Sequence, residues 1–172
     1  MSEEAVELAK EMWNIVKKYP CSGMAAVQVS VPKQLFLACV PSRFPHETII
    51  GEKIEDDSSK SRFAVILNPM IVRVSREVDF MTESCMSIPN TLCLVCRNSE
   101  VFIRYQTLGS KDYFVSHLKG IWARIFQHEF DHLNGVLITD RHRNPRDFLT
   151  NNYDIEKFEE ELKNIPAYEF WK

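Results

Sequence analysis

The stretch Gln127-His128-Glu129-Phe130-Asp131-His132 constrains this chain more than any other. Histidines four residues apart lie on one face of a helix, so both imidazoles can reach one metal ion. Glu129 follows the first histidine and can lean toward a water on that ion as a general base. A catalytic metal also needs a third protein ligand and an open position, so the fold must bring a distant part of the chain onto this helix. The helix is expected over about 121–134, with Gly120 before it and Gly135 where a C-terminal cap belongs. Two surface histidines on an ordinary amphipathic helix are the alternative.

The third ligand could come from the cysteines or from His46, His117 or His142. Cys85 is one candidate, in Glu83-Ser84-Cys85-Met86-Ser87-Ile88-Pro89, between strand-like runs and beside a turn. Cys93 and Cys96 have the spacing of a zinc knuckle. They lack a second pair and a glycine turn, and residues three apart on a strand face opposite sides. They read as small buried hydrophobes, as does Cys39 inside QLFLACV.

Apolar positions at Ala5, Leu8, Ala9, Met12, Trp13 and Val16 have helical spacing over 3–18, and Pro20 stops the helix. Residues 34–40 read as a buried strand, and 41–62, with its EDDSSKS run, as a surface loop. Further strand-like runs cover 63–67, 70–74, 92–96, 101–105 and 113–118, with turns at Asn68-Pro69, Pro89-Asn90 and 108–110. A short strand is expected over 136–139, and Asp154 could cap a last helix with Ile155, Phe158 and Leu162 on its face. Strands in the middle flanked by helices give an α+β class, and 172 residues suit a single domain over 1–172.

A net charge of −3 argues against a protein that coats nucleic acid, though one local patch could still touch RNA. No apolar run is long enough to span a bilayer, and MSEEAVELAK has neither a secretory nor a transit-peptide pattern. Five cysteines are odd in number and sparse, so they are expected to be reduced, in a cytosol-like compartment.

CSGMAAVQ at 21–28, ESCMS at 83–87 and HEFDH at 128–132, in that order, resemble the three motifs of the peptide deformylases, G-x-G-x-A-A-x-Q, E-G-C-x-S and H-E-x-D-H. The resemblance spans 21–140 and is most specific in QHEFDHLNGVL. It implies an α+β fold of small, mostly antiparallel sheets packed around a central metal-bearing helix. It also implies removal of the formyl group from the N-terminal methionine of new chains. Carried over, the ligands of one divalent ion fall on Cys85, His128 and His132. The ion would be Fe²⁺ natively, replaceable by Zn²⁺, Ni²⁺ or Co²⁺. Glu129 matches the acid/base carboxylate, Gln28 the oxyanion-stabilising amide, and the Met86 backbone N–H its second donor. Gly23, Arg124 and Ile125 are placed at the substrate pocket. From the residues themselves, Glu83 and Arg97 could form an ion pair bracing the Cys85 loop, or stand as two solvent-facing charges. The partners implied are N-formylmethionyl nascent peptides met at the ribosome, without stable nucleic-acid or membrane binding. The compartment would be bacterial cytoplasm, or mitochondrion or plastid in a eukaryote.

Four positions depart from the pattern: Cys21 and Ser84 stand where the motifs have glycine, Leu92 where many members carry a polar residue, and Arg124 where the family has an apolar pocket residue. A guanidinium at 124 would fill the pocket, snorkel out of it, or turn to solvent over a packed stem. These departures keep other readings open: weak activity, a different N-acyl or N-terminal substrate, or a metal-stabilised binding protein without catalysis. A zincin-type endopeptidase would leave ESCMS and GMAAVQ unexplained.

Overall fold

The computed structural model describes residues 3–45, 48–54 and 60–141. In chain order it has α1 (Glu3–Val16), β1 (Gly23–Ala25), a 3-10 turn (Ala26–Val29), β2 (Leu35–Val40), β3 (Ile49–Ile54), β4 (Lys60–Val74) and β5 (Val78–Cys85). Then follow β6 (Ile88–Asn98), β7 (Glu100–Gln106), β8 (Phe114–Lys119), α2 (Ile121–Leu133) and α3 (Ile138–Arg141). Six strands form one antiparallel sheet, β1-β2-β4-β7-β8 with β3 also on β4, and β5 and β6 form a separate two-stranded ribbon.

The sheet is filled on both faces. All six residues of β2 are buried, which an unbroken apolar run permits and an alternating one would not. Leu35, Leu37 and Cys39 face the side covered by Ala5, Leu8, Ala9, Met12 and Val16 of α1. Phe36, Ala38 and Val40 face the opposite side, with Ala123, Phe126 and Leu133 of α2. The Phe36 and Phe126 rings meet edge to face, centroids 5.0 Å apart. β4 joins the sheet's halves: β2 pairs along one edge, Leu35 opposite Leu67 and Val40 opposite Arg62. Along the other edge β3 is followed by β7, with Ile49 opposite Ala64 and Val101 opposite Val74.

Several expectations are corrected. The segment 41–62 is not all loop: it buries Phe44 and Thr48 and contains β3. Gly51 lets that strand pass under Trp13, because a Cβ there would lie 2.6 Å from the indole Cε2. Asn68-Pro69 does not divide two strands. Asn68 takes a left-handed conformation, φ 46°, and produces a bulge within one continuous β4. The turn of the ribbon is Met86-Ser87 rather than Pro89-Asn90, which lies inside β6 with Asn90 at φ 61°. Residues 136–139 do not form a strand. The backbone N–H of Leu137 donates to Asp140 Oδ2 at 2.8 Å and opens the helical turn α3. The helix expected from Asp154 lies outside the described residues, as do His46, His142 and the acidic run at 55–57.

Candidate metal centre

α2 has two buried faces of different chemistry. One is the apolar row on the sheet; the other carries Arg124, Gln127, His128, Asp131 and His132 toward the ribbon. Inward positions of β5 and β6 answer with Glu83, Cys85 and Arg97, all buried. Gln127 closes the seam like a strand partner: its Nε2 donates to the Asn98 carbonyl (2.9 Å) and its Oε1 accepts the Asn98 N–H (3.2 Å).

Glu83 is the hub. Its Oε1 accepts from Arg97 Nε (2.6 Å) and Arg124 Nη1 (2.7 Å). Its Oε2 accepts from Arg97 Nη2 and from His128 Nδ1, both at 2.9 Å. Burial opposes ionisation here, but the hydrogen bonds from His128, Arg97 and Arg124 and the Arg97 charge hold Glu83 well below the usual carboxylate range. Arg97 also donates through Nη1 to Asp131 Oδ2 (2.8 Å), and Arg141 caps Asp131 from the solvent side.

With its Nδ1 engaged, His128 turns Nε2 inward, 3.2 Å from His132 Nε2. His132 Nε2 lies 3.2 Å from Cys85 Sγ. The three donor atoms lie within 4.8 Å of one another, which no other set of three His, Cys or carboxylate ligands achieves among the described residues. Burial pushes the Cys85 thiol up, yet hydrogen bonds from His128, His132 and the Ser87 backbone, with the His132 charge, bring it down to about 5. Burial works against a charged His128, but Cys85, Glu83 and Glu129 raise it to about 10. The pocket therefore favours a positive charge between its donors. One soft thiolate and two imidazoles, converging and held by a carboxylate behind one ring, fit a divalent transition-metal ion.

The remaining candidates surround this centre. Glu129 is buried, its Oε2 has no hydrogen-bond partner, and burial raises its pKa to about 7 against the pull of His128 and His132. Gly23 lies directly beneath it: a Cβ there would sit 2.6 Å from the Glu129 Cδ. Gln28 Oε1 accepts the Ala25 N–H (2.8 Å), which aims Nε2 at Ser87 Oγ (2.9 Å) and to 4.0 Å from Cys85 Sγ. A cavity of about 220 Å³ opens beside the group, lined by Gly23, Gln28, Met86, Arg124, Ile125 and Glu129 among others.

Of the departures, Ser84 is exposed on β5 where it lines the cavity, and its φ is not positive, so the position does not call for glycine. Leu92, opposite Ser84, is 72% exposed. Cys21 lines the cavity. Arg124 neither fills the cavity nor turns to solvent: its guanidinium is buried in the ion-pair network. His117 stands apart, on Glu100 at 2.7 Å. Cys93 and Cys96 differ in burial, as the strand geometry requires, and join no ligand set. Sequence reasoning missed Gln127, Asp131 and Ser87. The only available signal was their place inside or beside the motifs.

A thiol and two imidazoles that could hold a metal ion beside an open cavity, with one carboxylate oxygen of Glu129 unpartnered next to them, fit a metal-dependent hydrolase. The family model described as polypeptide deformylase matches residues 1–147. The peptide deformylase of Chloroflexus aggregans is 31% identical over 94% of this chain and 81% of its own length. That of Mycoplasmopsis pulmonis is 34% identical over 82% and 79%. Among solved structures, peptide deformylase from Thermotoga maritima superposes with a TM-score of 0.67 at 28% identity, covering 83% of this chain and 84% of that one. The Plasmodium falciparum peptide deformylase gives 0.67 at 27%, over 94% and 81%. The chain belongs to the polypeptide deformylase family.

Proposed function

We propose that this chain removes the N-formyl group from the N-terminal methionine of newly made polypeptides, using Cys85, His128 and His132 to hold one divalent metal ion. The observation that carries this reading is the convergence of those three donors within 4.8 Å beside Glu129. A divalent ion held there would supply an acidified water and a Lewis acid for the formyl oxygen. Glu129, free at Oε2, takes the proton of the attacking water and returns it to the departing amine. In this reading the Gln28 amide and the Met86 backbone N–H donate to the oxygen on which charge develops. Gly23 leaves room for the Glu129 carboxylate, while Ile125 and the Arg124 stem supply the wall against the methionine side chain.

The thiolate-containing donor set suits Fe²⁺ as the native ion, with Zn²⁺, Ni²⁺ or Co²⁺ able to replace it. The partner we assign is the formylmethionyl end of a nascent peptide met at the ribosome. The compartment would be bacterial cytoplasm or an organelle of bacterial descent, and 1–172 would act as one domain. No helix among the described residues is long and apolar enough to cross a membrane.

The test is release of formate from formyl-Met-Ala by protein purified without oxygen, with bound metal analysed in the same sample. Stoichiometric metal with no formate released would overturn the activity. Formate released by protein that stays active under air with iron bound would overturn Fe²⁺–thiolate as the native centre.

A further inference from the structure

Arg124 belongs to two environments at once. The residue lines the cavity, while its guanidinium makes four polar contacts with the ribbon. Nη1 donates to Glu83 Oε1 (2.7 Å) and to the Val95 carbonyl (3.1 Å). Nη2 donates to the Asp79 carbonyl (2.7 Å) and lies 3.5 Å from Asp79 Oδ2. The side chain is 5% exposed, so little of the charge is left for a substrate.

The same carboxylate that receives Arg124 also receives His128. Arg97 grips both Glu83 oxygens from β6 and reaches α2 through Asp131, so its own side-chain bonds meet that helix beside His132 rather than beside His128. Arg124 stands one helical turn before His128 on the same face, so it fixes Glu83 against the very helix that carries the ligand. Its bonds to Asp79 and Val95 reach both strands of the ribbon, and Cys85 ends one of those strands. One side chain thus registers the ribbon that offers the thiolate against the helix that offers the imidazoles.

We propose that Arg124 is a positioning residue for the metal centre, acting on His128 through Glu83, and not a residue that reads the substrate's charge. This rests on the assignment of Cys85, His128 and His132 as ligands. Partners behind a ligating imidazole fix its ring orientation and commonly change metal affinity about 10–100-fold when removed. Methionine at 124 would keep an apolar stem in the cavity wall while deleting every guanidinium bond.

The experiment loads metal-free full-length chain with Co²⁺, measuring affinity by chelator competition and centre geometry from the visible spectrum. In parallel it follows kcat and KM for formyl-Met-Ala. Arg124→Met should weaken Co²⁺ binding about 10–100-fold, shift the spectrum and lower kcat, with KM close to wild type. In a Glu83→Gln background the same change should add no further loss of affinity, because the two act as one unit. Arg124→Lys, which keeps the charge but not the fork, should fall between, and it serves if the methionine variant fails to fold. Wild-type affinity and spectrum with only a lower metal-free melting point would overturn the proposal in favour of a plain strap. A raised KM with unchanged Co²⁺ binding would overturn it in favour of substrate reading, and full additivity with Glu83→Gln would remove the route through Glu83. Failure of the wild-type chain to bind Co²⁺ would instead overturn the ligand assignment beneath it.

Discussion

A methyl group on Gly23 would displace the Glu129 carboxylate, whose Cγ would lie 2.7 Å from it. Gly23→Ala should therefore retain metal and lose kcat, and Glu129→Gln should do the same, each by about 10²–10⁴-fold if the carboxylate moves the proton. Steady-state kinetics with metal analysis checks both; near-normal turnover in Glu129→Gln would remove it as the base. Cys85→Ala, His128→Ala and His132→Ala should each abolish stoichiometric metal, since three protein ligands are the minimum for such a centre. Glu129 also links the site to pH. Its pKa is raised by burial from 4.5 to about 7, so protonation favours the folded, metal-free chain. That contribution is complete below pH 4.5 and is lost as pH rises through 7. Metal-free Glu129→Gln should lose less stability than wild type across that window, read as melting points in a pH series. At this scale the sequence was informative because HEFDH and ESCMS place donors at fixed spacings. It could not say where Arg124 would end, since the partners of its guanidinium lie about 30 to 45 residues away.

The seam between α2 and the β5–β6 ribbon is held mainly by polar groups, and elements joined in that way are hard to read from hydrophobic pattern. β5 escaped notice because its inward positions include Glu83 and Cys85 where a pattern search looks for apolar residues. β3 escaped because GEK interrupts Ile49-Ile50, and α3 because Val136-Leu137-Ile138 has strand composition while Asp140 turns the chain. β2 and both long helices were legible, since their burial follows their apolar periodicity. The seam's character also fixes what breaks it. Arg97→Ala would leave Glu83 short of two bonds and Asp131 short of one inside the protein, and should cost about 3–5 kcal/mol. Gln127→Ala exposes both backbone groups of Asn98 to an unpaired state and should cost about 1–3 kcal/mol. Urea unfolding of the metal-free variants measures both, and a loss below that of a surface substitution would mean that water replaces the missing partners.

At the scale of the molecule, neither large apolar core of the described residues contains a proposed metal ligand; Cys85 belongs to a small third cluster with Cys93, Val95 and Ile138. Chelation should therefore lower the melting point while leaving the far-ultraviolet circular dichroism intact, and a collapse of that signal would show that the metal holds the fold itself. Phe36→Ala, which empties the contact between β2 and α2, should cost about 3–5 kcal/mol with or without metal. The double-sided burial of β2 has a further consequence in time rather than in energy. The strand is paired on both edges, with β1 over 36–38 and with β4 over 35–40, so its central amide protons reach solvent only when α1, α2 and the sheet come apart together. Amides of β5 and β6 need only the ribbon to lift from α2, a smaller opening. Deuterium should enter the ribbon first, and metal should slow that entry there while leaving the rate at 35–40 nearly unchanged.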